Sequence, residues 1–202
     1  FDGVDDYVDA GNILNFERTD AFSISAWCYF DGTGTMSIFS KLENTAPFRG
    51  YSLFQSSTSV LNFYLTNDNS PSNRIAVFAN LPAPTTSAWK HIIVTYDGSS
   101  NASGVNFYVN GSVLSKTISI DTLSATIITS TNANIGARAG VSEFFNGKID
   151  EVAIWNTALS SDAVTEIYNA TANNTGKALD LNTDYNNYTS SANLQYWNRL
   201  GD

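Results

Sequence analysis

The chain has 202 residues, and 43% of them are hydrophobic, including 12 Phe, 10 Tyr and 4 Trp, which is too apolar and too aromatic for a disordered protein. Ten Lys and Arg against 19 Asp and Glu give a formal net charge of −9, which repels phosphate backbones and anionic lipids, so we expect no nucleic-acid partner. No apolar run approaches the roughly 20 residues of a membrane helix, so we expect no membrane insertion.

Alternating apolar and polar residues predict a series of short strands. Residues Phe22 to Phe30 place Phe, Ile, Ala, Cys and Phe at every second position and end at a turn, Asp31-Gly32. Asn110-Gly111 separates two further alternating runs, which predicts a tight β-hairpin. Other runs of this kind are Met36–Lys41, Tyr51–Gln55, Val60–Thr66, Arg74–Ala79, Trp89–Tyr96, Ala133–Ala137 and Phe144–Trp155. The spacing is typical of an all-β protein.

One segment has helical spacing instead. After Ser160-Ser161, which can cap a helix, Ala163, Val164, Ile167 and Tyr168 recur at the period of an α-helix. Beyond it the chain becomes polar. We therefore expect a domain over residues 1–172 with one short helix near its C-terminal end, and a polar extension or linker over residues 173–202. The absence of an initiator Met before Phe1 suggests a piece of a longer protein.

Seven short motifs follow one another in a recognisable order. They are Phe1–Val8, Phe22–Trp27, Trp89–Gly98, Phe107–Gly111, Asn134–Gly136, Phe145–Asn156 and Ala158–Ser160. Together they resemble the laminin G-like domains of the concanavalin A-like lectin and glucanase superfamily, over about residues 1–170. The resemblance implies a jelly-roll sandwich of two antiparallel sheets, in agreement with the strand pattern. We expect Trp27 and Trp89 to fill its interior, and His91 and the single cysteine, Cys28, to be structural.

The residues offer little for catalysis. Glucanases of the resembling superfamily place paired carboxylates on one strand face, because a retaining glycosidase needs them about 5 Å apart. The nearest candidates, Asp150 and Glu151, are adjacent and should point to opposite faces. We therefore predict that the chain is not an enzyme.

A structural calcium ion is the one cofactor that the resemblance suggests. In the resembling family such a site often joins the first strand to the last core strand, and the matching carboxylates are Asp2 and Asp150. Calcium prefers oxygen ligands of this kind. The alternative is that Asp2 belongs to a turn with Gly3 and Asp150 accepts hydrogen bonds from nearby backbone.

Candidate ligand-binding residues lie in three loops with unusual basic and polar content. Jelly-roll proteins bind ligands on the concave sheet or in the loops of one rim. Planar hydrogen-bonding groups and rings suit sugar hydroxyls and sugar faces. The candidates of this type are Arg49, Tyr51, Asn73, Arg74 and Arg138.

These observations predict a non-catalytic carbohydrate-binding or adhesion module of a larger extracellular, cell-surface or virion protein. Its expected partner is a glycan or a cell-surface glycoconjugate. Two alternatives stay open at this point. The chain could be a decoration domain that contacts proteins in an assembly without binding sugar, or a degenerate glycoside hydrolase-like domain.

Overall fold

A computed structural model describes residues 1–57, 59–70, 72–173 and 179–200. The described chain forms thirteen strands, one α-helix and two short 3₁₀ turns. The strands are β1 (Val8–Gly11), β2 (Phe22–Phe30), β3 (Met36–Leu42), β4 (Gly50–Ser57), β5 (Val60–Asn69), β6 (Ser72–Asn80), β7 (Trp89–Tyr96), β8 (Val105–Val109), β9 (Ser112–Val113), β10 (Lys116–Asp121), β11 (Ala133–Ile135), β12 (Gly147–Trp155) and β13 (Leu194–Asn198), and helix α1 spans Ser161–Asn173.

The strands form two sheets. One has seven strands in the order β1-β11-β3-β4-β5-β6-β10, and the other has six in the order β13-β12-β2-β7-β8-β9. Every strand pairing is antiparallel. This arrangement confirms the predicted all-β sandwich with one helix near the C-terminal end.

The main core lies between the two sheets and follows the alternation of β2. Phe22, Ile24, Ala26, Cys28 and Phe30 have no exposed surface and pack against the inward residues of the seven-stranded sheet. Burial also raises the pKa of the Cys28 thiol, so this residue is an inert part of the core.

The two tryptophans expected in this core are not there. Trp27 has the opposite parity to the core residues of β2, so it lies on the outer face of the six-stranded sheet, stacked on His91 at 5.1 Å between ring centres. Trp89 pairs with Tyr29 on the same outer face and is 42% exposed. The prediction of a buried Trp89 is therefore wrong, because strand parity decides the face regardless of ring size.

The predicted hairpin is confirmed at its expected turn. Tyr108 pairs with Val113 and Val109 pairs with Ser112 across Asn110-Gly111. Both turn residues have positive φ, 50° and 76°, which is the backbone of the turn that matches strand twist. The Asn110 side chain also accepts the His91 backbone N–H at 2.9 Å, which ties the hairpin to β7.

A second, smaller core lies on the outer face of the six-stranded sheet, under helix α1. Ser160 precedes the helix and caps it, because its hydroxyl accepts the Ala163 N–H at 3.1 Å. The helix buries Val164 and Ile167. No helix in the residues that the structure describes is long and apolar enough to span a membrane.

The described part of the predicted extension contributes to this second core. The Trp155 indole N–H donates to the Tyr188 hydroxyl at 3.0 Å, and that hydroxyl donates to the Leu181 carbonyl at 2.7 Å. Strand β13 pairs with β12 and adds an edge to the sheet. Residues 179–200 of the expected extension therefore pack against the second core and one sheet edge.

Candidate functional site

A pocket of about 160 Å³ opens on the outer face of the seven-stranded sheet. In β5, Phe63 and Leu65 point into the core, so Tyr64 and Thr66 point outward to the pocket. Arg74 of β6 pairs with Thr66 in the neighbouring strand. The full lining is Leu42, Phe48, Tyr64, Thr66, Asn69, Arg74 and Arg138. The fold thus brings together two of the predicted ligand residues, Arg74 and Arg138.

Arg74 has hydrogen-bonding capacity that the protein does not use. Its guanidinium carbon lies 5.2 Å from the centre of the Tyr64 ring, and Nη1 donates to the Asn69 side-chain oxygen. Its Nε is buried and has no hydrogen-bond partner within the described chain. A buried donor without a partner costs about 1–3 kcal/mol, so a ligand acceptor at this position would recover that energy.

Arg138, in contrast, is held by the protein. Its Nε and Nη2 donate to the Glu43 carbonyl at 3.1 and 2.8 Å, and its Nη1 pairs with the Glu143 carboxylate at 3.0 Å. The guanidinium also lies over the Phe48 ring, 5.1 Å from its centre. These contacts fix the wall of the pocket and leave fewer donors of Arg138 for a ligand.

The pocket is locally basic in an acidic protein. Among the described residues that line it there are two guanidinium groups and no carboxylate, although the chain carries a net charge of −9. Glu143 offsets the charge of Arg138, which leaves Arg74 as the source of net positive charge. Guanidinium donors beside aromatic rings suit a ligand that has acceptors and a flat apolar face.

The other three predicted ligand residues lie outside this pocket. Arg49 follows the pocket residue Phe48 in the chain but does not line the pocket. Its Nε donates to the Asn67 carbonyl at 3.5 Å, and its backbone N–H donates to the Glu43 carboxylate. Asn73 exchanges two hydrogen bonds with Ser124 and fastens the start of β6 to the segment after β10.

Tyr51 lies in the main core and is only 1% exposed. Its hydroxyl donates to the Leu14 carbonyl at 2.8 Å, and burial raises its pKa well above the ordinary value. A ligand at the rim cannot reach it. The alternation that places Leu53 in the core also places Tyr51 there, so strand parity could have excluded it.

The candidates chosen from the sequence do not include five of the seven pocket residues, which are Leu42, Phe48, Tyr64, Thr66 and Asn69. Tyr64 has the outward parity of β5, a signal that was present in the sequence. Phe48 lies in the loop between β3 and β4, and Asn69 is the last residue of β5, where the strand turns into β6. No periodicity indicates which way a side chain points at these places, so only the fold reveals them.

The structure groups the carboxylates near the N-terminus differently from the expected calcium site. Ligand oxygens of Asp2, Asp5 and Asp6 all lie within 4.8 Å of one another, and all three residues are exposed. Asp2 pairs with Asn146, four positions before Asp150, which corresponds to about 13 Å along a strand. The register therefore does not bring Asp2 to Asp150, whose Oδ1 accepts the Glu151 N–H at 2.7 Å.

The side chains that could suggest catalysis have structural partners. Glu151 accepts the Trp197 indole N–H at 2.7 Å and the Arg199 Nε at 2.9 Å. Ser25 and His91 form a hydrogen bond of 2.8 Å, but both are buried beneath helix α1 and Trp27. Burial also lowers the pKa of His91 to about 3, so the imidazole is neutral near pH 7. A substrate could not reach this pair in the folded protein.

Several solved structures share this fold at low sequence identity. The carbohydrate-binding module CBM40 of the Ruminococcus gnavus IT-sialidase, bound to α2,3 sialyllactose, has a TM-score of 0.60 and 16% identity, with 74% of this chain and 83% of that chain covered. A Bacteroides ovatus ATCC 8483 protein to which carbohydrate binding is attributed has a TM-score of 0.61 and 17% identity. The match covers 96% of this chain and 49% of that protein's chain.

The botulinum neurotoxin serotype G binding domain is similar too, with a TM-score of 0.60 and 16% identity. The match covers 90% of this chain and 42% of that domain's chain. This chain therefore spans less than half the length of two of these three structures. The structural neighbours are binding domains, and at these identities they show a shared fold. A comparison with curated proteins finds no match.

The sequence itself also matches a family of known fold. A laminin G-like family model, described as Concanavalin A-like lectin/glucanases superfamily, matches residues 2–165. The match covers most of the chain and agrees with the two antiparallel sheets. The chain therefore belongs to the concanavalin A-like lectin/glucanase superfamily.

Proposed function

We propose that this chain is a non-catalytic carbohydrate-binding module and that its sugar binds in the pocket between Arg74 and Arg138. The observation that carries the proposal is the buried Nε of Arg74, which has no hydrogen-bond partner among the described residues and lies beside the Tyr64 ring. A sugar can supply a hydrogen-bond acceptor and an apolar ring face at the same time. The structural neighbours that bind carbohydrate support this choice.

The charge of the pocket favours a sugar that carries an anionic group. A guanidinium binds a carboxylate through two parallel hydrogen bonds, and such charge-assisted bonds are about twice as strong as neutral ones. The R. gnavus module was solved with α2,3 sialyllactose, a sugar that has one carboxylate. We therefore choose α2,3 sialyllactose as the first probe for this chain, with lactose as the matched neutral control.

Calorimetric titration tests the proposal with variants of similar chemistry. We expect α2,3 sialyllactose to bind more tightly than lactose, and Arg74→Ala to weaken binding at least about tenfold. Arg49→Ala is the matched control, because Arg49 lies nearby but does not line the pocket. If neither sugar binds, or if Arg74→Ala binds as tightly as the parent protein, the proposed site is wrong.

The absence of turnover is part of the same proposal. Glu151 is occupied by Trp197 and Arg199, and the Ser25–His91 pair is buried. We expect no release of reducing ends from β-glucans. Release that disappears in Asp150→Asn would contradict this expectation.

A module of this kind fits display at a surface. We propose that it belongs to a larger extracellular, cell-surface or virion protein, where a glycan or glycoconjugate is its partner and other chains of an assembly are protein partners. The acidic surface, with a net charge of −9, suits a soluble display role. Localisation of the tagged full-length protein on the outside of intact cells or particles tests this assignment.

We also propose a structural calcium ion near the N-terminus, held by Asp2 with Asp5 and Asp6. The three carboxylates fit the preference of calcium for oxygen ligands, and their oxygens are close enough to share one ion. A bound ion would raise the melting temperature by mass action. We expect Asp2→Asn to abolish a calcium-dependent rise, and Asp150→Asn to leave it unchanged. Equal melting curves in calcium and in chelator would contradict the proposal.

A further inference from the structure

The outer face of the six-stranded sheet presents an aromatic row that the proposed function does not use. Lys148 of β12 pairs with Tyr29 of β2, and Tyr29 pairs with Trp89 of β7. Their chain neighbours Cys28 and Ile149 point into the main core, so these three side chains point away from it. The row crosses three neighbouring strands on one surface.

Helix α1 covers the next row but leaves this one open. Tyr168 of the helix stacks on Trp27 with ring centres 6.0 Å apart, which closes that part of the sheet. Past the edge of the helix, Trp89 is 42% exposed. Burial of so large a ring would stabilise the folded protein, and this position forgoes part of that stabilisation. Tyr29 meets Trp89 edge to face at 5.7 Å, and the Lys148 ammonium lies 5.3 Å from the Tyr29 ring centre. Tyr29 therefore contacts both the exposed indole and the Lys148 ammonium.

A pocket of about 280 Å³ adjoins the exposed ring. Its polar side chains are Lys148, a donor, and Asp150, an acceptor, and the two charges balance. Asp150 uses Oδ1 to accept the Glu151 N–H, which leaves Oδ2 for a ligand. Lys148 has no carboxylate within salt-bridge distance in the part of the chain that is described. A donor, an acceptor and a ring face are therefore available together.

We propose that Trp89, Lys148 and Asp150 form a second binding site for a neutral sugar, which stacks on the indole and bonds its hydroxyls to the two charged groups. The balanced charge separates this site from the arginine pocket, because the Lys148 and Asp150 charges cancel and give an anionic sugar no net attraction. The polar pair also makes a sugar a better occupant than an apolar peptide, which would leave both charges unpaired on burial. The two sites lie on different sheets, so this inference does not depend on the proposed function.

Two-dimensional NMR with neutral disaccharides tests the second site. The probes are cellobiose, maltose and mannobiose, each titrated against the folded chain while the indole N–H signals are followed. We expect at least one of them to shift the Trp89 signal, Trp89→Ala to weaken that binding at least about tenfold, and Trp89→Phe to retain most of it. Circular dichroism of both variants checks that they remain folded.

Arg74→Ala is the matched control for this experiment. We expect it to leave the Trp89 titration unchanged, so a failure of the arginine pocket and a failure of the second site give different results. The proposal is overturned if no disaccharide shifts the Trp89 signal or if Trp89→Ala binds as the parent does. It is also overturned if sedimentation shows a dimer that Trp89→Ala dissociates, because the ring would then contact a second copy.

Discussion

Replacement of His91 should remove most of the acid sensitivity of this protein between about pH 7.5 and pH 5. Burial lowers the pKa of His91 to about 3, whereas an exposed histidine in the unfolded chain titrates near its ordinary value of 6.5. As the pH falls below that value, the unfolded chain binds a proton that the folded protein excludes. The free energy of unfolding therefore decreases as the pH is lowered through this window and increases again as the pH is raised.

The size of the effect follows from the two pKa values. At about pH 5, protonation stabilises the unfolded chain by about 2 kcal/mol, and the folded protein gains almost nothing because its imidazole stays neutral. Carboxylates contribute little in this window because their unfolded values lie near 4. His91 borders a small cavity, and among the described residues that line it Glu151 is the one with a carboxylate. The oxygens of Glu151 accept hydrogen bonds from Trp197 and Arg199.

Urea unfolding at a series of pH values measures this difference directly. We expect the parent protein to lose about 2 kcal/mol between neutral pH and about pH 5, and His91→Gln to lose much less, because an amide does not titrate. The variant also alters the hydrogen bond to Ser25, which changes the unfolding free energy at every pH. The comparison therefore uses the slope of the unfolding free energy against pH in each protein. Parallel pH profiles for the two proteins would refute the assignment of a buried, neutral His91.

Two further predictions concern the packing on the outer face of the six-stranded sheet. Trp27→Ala should cost about 3 kcal/mol of unfolding free energy, because the ring stacks on both His91 and Tyr168, whereas Trp89→Ala should cost less than about 1 kcal/mol. Equal losses in thermal or urea unfolding would contradict this difference. Tyr188→Phe should cost about 2 kcal/mol, because it leaves the buried Trp155 indole N–H without an acceptor. A variant as stable as the parent would show that residues 179–200 are not anchored as described.

Local patterns were sufficient to predict the sheets. Alternation in β2 predicted its five core residues, and Asn110-Gly111 predicted the position of a hairpin, because both signals depend on neighbouring residues alone. The helix was predicted by the spacing of Val164 and Ile167. The error at Trp89 arose where ring size was given more weight than parity.

The site was predictable only in part. Arg74 and Arg138 were among the candidates, and the fold places both at one pocket. Which further residues join them depends on how the loop carrying Phe48 approaches the sheet and on how β5 ends at Asn69, and no local pattern sets either. The contribution of residues 179–200 was missed for a similar reason. Tyr188 lies in a polar segment, and its burial depends on a distant partner, Trp155.

The measurement that tests the central claim most directly is the NMR signal of the Arg74 side-chain Nε–H during a titration with α2,3 sialyllactose. This nitrogen is buried and has no partner in the described chain, so it should gain a hydrogen bond when the sugar enters the pocket. We expect its signal to shift with the same affinity as calorimetry gives, while lactose produces a smaller shift. Binding that leaves the Arg74 signal unmoved would contradict the proposed site.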